Sequence, residues 1–416
     1  MNPRQEDHGC GHNERLISLN DALAIIRSEL QPRSDSQKLP LRAALGRLLA
    51  KPVHATLDVP NHDNSAMDGY AVRFQDLQAE QPLRVIGEAF AGHVFAGTVG
   101  AGECVRIMTG GVMPAGADTV IMQERAQRQG DEVRFEGKHP LGNHVRRRGE
   151  DIRAGDVVLP AGRRLGPADL GLLASIGISA VEVHRPLRVA IMSTGDELRS
   201  PGEELQAGQI YDSNRYTLHG MLTKYGAEVL DLGVIPDQRE RLREALERAA
   251  AEADVVITSG GVSVGEADYV TELLAERGNV GFWRLDIRPG RPLAFGHFGS
   301  AVFFGLPGNP VSVMVTFYQV VQPALEHLQG QTESKRLQLR AQLEAPISKR
   351  DPRREFQRGV MTMLDDGSLR VRSTGNQSSG VLRSMSAANC FIVLPEGVAE
   401  LQPEDWVTIE PLMSFG

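Results

Sequence analysis

Four short stretches carry the residues best suited to chemistry, and each of them suits a charged ligand. "TGDEL" supplies Thr194, Gly195, Asp196 and Glu197. A glycine lets the backbone turn sharply, and a carboxylate just beyond it can hold Mg²⁺ or its waters. "SGGVSVGEAD", Ser259 to Asp268, adds Gly260, Gly261, Ser263 and Gly265 to a loop whose N–H groups can face a phosphate. "RPGRP", Arg288 to Pro292, sets two guanidiniums three residues apart around a Pro-Gly turn, an arrangement that suits a tetrahedral oxyanion. "LPGNPVS" brings Pro307, Gly308 and Asn309 to a helix start, with Asn309 the expected N-cap and Pro310 in the first turn. Helix starts collect unpaired N–H groups and favour anions. Each stretch also has a purely structural reading: glycines end strands, acids cap helices and arginines sit in water.

The elements around these stretches decide between the readings. "LRVAIMST", "AEVLDLGVI", "ADVVITS" and "AVFFGL" have the length and composition of buried strands. They alternate with helical "DSNRYTLHGMLTKYG", "DQRERLREALERAAAE" and "ADYVTELLAERG", and "VSVMVTFYQVVQPALEHL" reads as one long, mostly buried helix. Over residues 187–330 this alternation predicts a parallel sheet with helices on its faces. The four stretches then follow successive strands and line one edge, where ligands of such sheets bind.

The remaining chain differs in texture. Leu16 to about Leu49 is predicted helical, opening at a Ser-Leu-Asn-Asp cap. From Lys51 to about Val183, short strands such as "PLRVIGEAF", "ECVRIMT" and "DTVIMQE" are separated by Gly, Pro and Asp turns and interrupted by a helical "GPADLGLLASIG". Within this region "DNSAMDGYAVR" gathers Asp63, Asn64, Ser65 and Asp68, and "RRRGEDI" mixes three arginines with Glu150 and Asp151. Both also read as ordinary turns and solvated charge. From about residue 337 short strands return, as a small barrel or sandwich. The predicted fold class is multidomain α/β and β: a central doubly wound α/β domain, a β-rich insertion domain, a small linking domain and a C-terminal β-barrel-like domain.

Composition excludes several classes. A chain of 416 residues is too long for one ordinary domain. Acidic residues outnumber basic ones 53 to 45, for a net charge of −8, which argues against nonspecific nucleic-acid binding. The sequence has no run of about 18 apolar residues, and its polar N-terminus lacks an apolar signal core, so a soluble cytoplasmic protein without membrane partners is expected. Cys10, Cys104 and Cys390 lie far apart and fit a reducing compartment. "HGCGH", His8 to His12, reads as part of a flexible tail rather than a structural metal clip.

Nine motifs in order, from "DNSAMDGYAVR" and "RIMTGGVMPAGADTVIMQE" through "RRRGEDI", "STGDEL", "GQIYDSNRY", "SGGVSVGEADY", "RPGRPLAFG" and "GLPGNPVS" to "FQRG", resemble the molybdopterin molybdenumtransferase family, which includes MoeA and the E domain of gephyrin. The resemblance implies that molybdate is inserted into adenylylated molybdopterin with Mg²⁺-assisted release of AMP. It implies a homodimer, with each active cleft between the α/β domain of one subunit and the β-rich domain of the other. Its domains would be a tail at 1–14; a molybdopterin-binding α/β domain at 15–35 and 187–335; a linking domain at 36–54 and 156–186; a β-rich domain at 55–155; and a C-terminal β domain at 336–416.

Matched motif by motif, the resemblance puts Arg288, Arg291, Pro292, Ser312, Arg358 and Ser379 around molybdate. Glu197 and Asp268 hold Mg²⁺ or orient the pyrophosphate and water, with Asp237 a further acid. Thr194, Gly195, Ser259, Gly260, Gly261, Ser263, Gly265, Pro307, Gly308 and Asn309 meet phosphate or pterin, and Asp68, Thr109 and Asp151 reach in from the other subunit. The adenylyltransferase that supplies the substrate and the molybdoenzymes that receive the product are implied partners. One departure touches the oxyanion: where many members carry two lysines in this turn, this chain has Arg288 and Arg291, and arginine is the wider, planar donor. That bears on molybdate against tungstate. Two rival readings are a molybdopterin adenylyltransferase, which would consume ATP and release pyrophosphate, and a non-catalytic cofactor-binding scaffold.

Overall fold

The computed structural model describes residues 15–261, 269–331, 336–349 and 352–412. The chain forms two compact units, one from residues 38–183 and the other from the segments on either side.

The second of these is built on a seven-stranded sheet. Its strands are β1 (Arg15–Ile17), β2 (Arg188–Thr194), β3 (Glu228–Ile235), β4 (Val255–Ser259), β5 (Gly278–Leu285), β7 (Pro292–Phe298) and β8 (Ala301–Leu306), in the order β1-β5-β7-β8-β4-β2-β3. A two-residue strand, β6 (Ile287–Arg288), lies between β5 and β7 in the chain and belongs to a different sheet. Strands β4 and β8 are buried throughout, as expected for strands covered on both faces. Period-two alternation divides their side chains between two cores. Ile191, Ile257 and Phe304 pack with Ala22 and Ile26 of helix α1 (Leu19–Glu29) and Leu218 and Leu222 of α2 (Asn214–Tyr225). Ala190, Val256 and Phe303 pack with Leu242 and Leu246 of α3 (Arg239–Glu252) and Leu273 of α4 (Tyr269–Arg277).

Two sequence expectations need correction here. The sheet is mixed, because β7 runs antiparallel to both β5 and β8. This reversal leaves the end of β5 on the same edge as the ends of β2, β4 and β8, so the expected clustering of strand ends holds. The N-terminal helix stops at Glu29 instead of running toward Leu49; Pro32 and Pro40 bracket extended chain at Ser36–Pro40. The long helix after Asn309 is helical from Pro310 to Leu328, with α5 (Pro310–Thr316) followed by a π-turn at Phe317–Val321. Pro323 lies just beyond that turn, and wider π geometry is one way a helix absorbs a missing N–H donor.

The same unit contains a closed barrel of β9 (Leu339–Leu343), β10 (Arg354–Met363), β11 (Leu369–Ser373), β12 (Cys390–Leu394) and β13 (Trp406–Pro411). The order β10-β11-β9-β13-β12 closes by pairing β12 back onto β10, around Leu343, Val371, Ile392 and Ile409. Strand β6 pairs in parallel with Arg354 and Glu355 at the start of β10, which β11 does not reach.

The 38–183 unit carries a six-stranded sheet in the order 119–122, 69–72, 103–107, 83–89, 132–135 and 126–129. Tyr70, Val72, Cys104 and Ile121 form one of its cores, Ala71, Val105, Ile107 and Val120 another. A third core, around Leu49, Leu159, Leu173 and Val183, includes the predicted helix, observed at Pro167–Ser175.

Candidate active site

A cavity of about 1030 Å³ opens where the sheet edge meets the barrel. Gly260, Gly261, Arg288 to Pro292, Pro307 to Asn309 and Ser312 line it from the sheet side. Ser348, Arg353, Glu355, Gln357, Ser373 and Gly375 to Ser379 line it from the barrel. Three arginines, several hydroxyls and one carboxylate make a lining suited to an anion.

Glycine is required in two of its loops. Gly260 and Gly261 have φ of 89° and 66°, and a Cβ on Gly261 would stand 2.8 Å from Thr194 Oγ1. That contact packs the end of β2 against the loop after β4, so Thr194 supports the loop without lining the cavity. The Asn214 side chain joins the next loop, donating from Nδ2 to Ser259 Oγ and to the Gly308 carbonyl, both at 2.7 Å. In the arginine turn, Gly290 has φ of 102°, and a Cβ there would meet Thr316 Oγ1 of α5 at 2.5 Å. Arg291 is exposed and its carbonyl accepts from the Leu285 N–H, while the Arg288 side chain is 40% exposed. Asn309 takes the N-cap position as predicted, yet its side chain makes no capping hydrogen bond. The Val311 N–H is satisfied instead by the Ser379 carbonyl.

Arg358 is placed differently from the expectation. It is 1% exposed, the largest fully buried side chain among the described residues, and stands behind the cavity wall. Its Nε donates to Ser384 Oγ at 3.0 Å and its Nη2 to the Ser378 and Asn376 carbonyls at 3.0 and 3.3 Å. Burial pulls its guanidinium down to about 10, with Glu355 acting in the opposite sense. It therefore fixes the loop that lines the cavity.

The acidic set gathers at the end of β2 and the loop after β3. Asp196 Oδ1 accepts from the Asp237 N–H at 3.1 Å. Partial desolvation, and after it the charges of Asp196 and Glu197, raise the Asp237 carboxyl above its ordinary value. Carboxylate oxygens are the donors Mg²⁺ takes, and a nearby cation would reverse that shift. Among the described residues no three His, Cys, Asp or Glu side chains form a metal-holding group. Ser263, Gly265 and Asp268, like the His8–His12 motif, lie outside the described residues.

In the 38–183 unit, Asp68 Oδ1 accepts from the Thr109 N–H at 2.8 Å and from its hydroxyl at 2.7 Å. These two bonds hold the Asp68 carboxyl below its ordinary value. Arg147 clips the "DNSAMDGY" and "RRRGEDI" stretches together by pairing with Asp63, and Arg148 pairs with Asp58, five residues upstream of Asp63. Asp151 is exposed, its N–H donating to the Val59 carbonyl, and among the described residues no hydrogen bond joins it to Asp68 or Thr109.

Reasoning from sequence missed Asn214, Glu355 and Gln357. Asn214 lies inside "GQIYDSNRY", one step after a helix-start serine. Glu355 and Gln357 alternate with Phe356 and Arg358, a period-two signal that puts them on one face of a strand.

Comparison with known proteins agrees with this layout. Residues 17–177 match the family described as MoeA N-terminal region (domain I and II), 190–327 a probable molybdopterin binding domain, and 340–412 the MoeA C-terminal region (domain IV). The chain is 44% identical to a molybdopterin molybdenumtransferase of Haemophilus influenzae, over 95% of this chain and 98% of the relative. A Nostoc protein of the same name is 39% identical, over 92% and 91%. A crystal structure of the Pyrococcus horikoshii molybdopterin biosynthesis moeA protein superposes with a TM-score of 0.83 at 32% identity, covering 95% of this chain and all of that one.

Proposed function

The chain belongs to the MoeA family of molybdopterin molybdenumtransferases, and we propose that it joins molybdate to adenylylated molybdopterin with release of AMP. Molybdate insertion into molybdopterin is the function of that family, which makes the chain a transferase of molybdenum cofactor biosynthesis. The observation that carries the finer reading is the cavity itself: two arginines on a turn shared by sheet and barrel, facing a glycine loop at a strand end.

Catalysis on this reading is positioning and charge stabilisation. Arg288 and Arg291 neutralise the molybdate dianion, with the Ser312 and Ser379 hydroxyls beside them. Arg358 acts through the Asn376–Ser378 loop. Gly260 and Gly261 leave room for a phosphate against bare backbone, and Thr194, Ser259 and Asn214 keep that loop in place. Glu197 and Asp237, with Asp196 and Asp268, would hold Mg²⁺, which supplies counter-charge to the pyrophosphate. Asp68, Thr109 and Asp151 of one subunit serve the cleft of the other in a homodimer. The setting is the cytoplasm, where the adenylyltransferase and acceptor molybdoenzymes are met. No helix among the described residues is long and apolar enough to cross a membrane.

The test is AMP release from adenylylated molybdopterin with Mg²⁺, with and without molybdate, followed by reconstitution of an apo-molybdoenzyme. Molybdate-dependent release with reconstitution supports the reading. ATP consumption with pyrophosphate release would replace it with adenylyl transfer, and tight binding without release would replace it with a scaffold.

A further inference from the structure

Among the described residues, Glu355 is the one carboxylate that lines the cavity. It is 4% exposed, and among the described residues its Oε2 has no hydrogen-bond partner. Its Oε1 accepts from Gln357 Nε2 at 3.3 Å. The nearest cation among the described residues, Arg288 Nε, stands 4.0 Å from Oε1, beyond hydrogen-bond range. A buried carboxylate oxygen left without a donor is costly, and in a cavity otherwise built for anions it lowers affinity for the oxyanion. Gln357, 5% exposed, lies two residues along the same strand and also lines the cavity. Residues two apart on a strand project to one side, so the pair offers a carboxylate acceptor with an amide beside it.

We infer that Glu355 and Gln357 recognise the pyrimidine edge of the pterin, and this rests on the proposed function. That edge carries two parallel donors, the N3–H and the 2-amino group, next to the C4 carbonyl. A carboxylate can take both donors at once, as it takes the fork of a guanidinium. The second N–H of the Gln357 amide is then available to the carbonyl. Oε2 has almost no accessible surface, so the carboxylate turns as the edge docks; the pairing then supplies the donor that Oε2 lacks and orients the pterin end of the substrate against the barrel. A buried polar pair of this kind discriminates strongly, because a ligand without matching donors leaves it unsatisfied.

The experiment measures the affinities of the wild type, Glu355→Gln and Gln357→Met for three probes: adenylylated molybdopterin, AMP and molybdate. Glu355→Gln is isosteric and replaces one acceptor oxygen with a donor. It should weaken adenylylated molybdopterin by about 10- to 100-fold and leave AMP and molybdate unchanged. Gln357→Met, close in volume, should weaken the same probe by a smaller factor. Wild-type affinity for adenylylated molybdopterin in both variants would overturn the assignment. A loss confined to molybdate would overturn it too, giving Glu355 the role of holding Arg288, and an equal loss for AMP would make the pair structural. Failure of molybdate-dependent AMP release by the wild type would bring down the proposed function instead, and the binding comparison reads out separately from turnover.

Discussion

Replacing Gly290 with alanine tests whether the shape of the arginine turn, as distinct from its charge, makes the oxyanion site. The substitution alters no charge and removes no hydrogen bond. It forces an L side chain into φ of 102°, which costs about 1–2 kcal/mol by left-handed strain alone. It also drives a Cβ to 2.5 Å from Thr316 Oγ1, and relieving such an overlap in a packed region costs about 1–3 kcal/mol more. Together these give about 2–5 kcal/mol, or a fall in melting temperature on the order of 5–15 °C. Turnover should drop by roughly 100-fold, the scale expected when a binding group moves by about 1 Å. Thr316 Oγ1 is buried without a partner, so Thr316→Ala leaves no group orphaned. Combined with Gly290→Ala, it should recover the packing part of the loss and leave the backbone part, a non-additivity that thermal melts of the four proteins measure directly. Wild-type stability in Gly290→Ala would refute the reasoning at its root. A double variant no better than the single one would refute the contact with Thr316.

Arg358→Met should cost about 2–5 kcal/mol, because a buried guanidinium is lost and two loop carbonyls and the buried Ser384 hydroxyl lose their donor, and it should raise the KM for molybdate by disordering the loop that carries Ser379; a normal melt with normal molybdate dependence would contradict this. The folded value of Arg358, about 10, lies below its unfolded one, so its contribution to stability rises only as pH climbs past about 10, and wild type and variant should show parallel stability curves around neutral pH. Thr109→Val should move acid unfolding of the 38–183 unit to higher pH. The Asp68 contribution is present above its ordinary 3.8 and fades as pH falls through the lower folded value, and removing one of its two donors brings that folded value back up. A circular-dichroism acid titration reads the midpoint, and an unchanged one would count against the Asp68–Thr109 bond.

Much of the sheet was legible because its strands are short apolar runs and its helices carry apolar stripes, and both are local signals. The four strand-end loops were legible for the same reason: glycine marks a change of direction whatever lies around it. What the sequence hid depends on distant partners. Asn309 looks like a cap, but Ser379, seventy residues on, satisfies the helix start in its place. Arg358 looks like a ligand group, and only the fold shows that it is spent on carbonyls of its own barrel. The reversal of β7 could not be read from "PLAFGHF", since a strand's composition does not carry its direction. Glu355 was passed over because a lone acid in a strand signals nothing until a buried, unpaired oxygen is seen on a residue that lines a cavity.

The short strand β6 has a mechanical consequence. Leu285 ends a strand of the large sheet and Ile287 begins one that pairs with the barrel, so Asp286 alone spans the two. Two peptide steps reach at most about 7 Å, which leaves no slack for sheet and barrel to part at this point while both pairings persist. The arginine turn is thus the rivet between sheet and barrel. Any opening of the cleft would have to pivot about the rivet that carries the arginines.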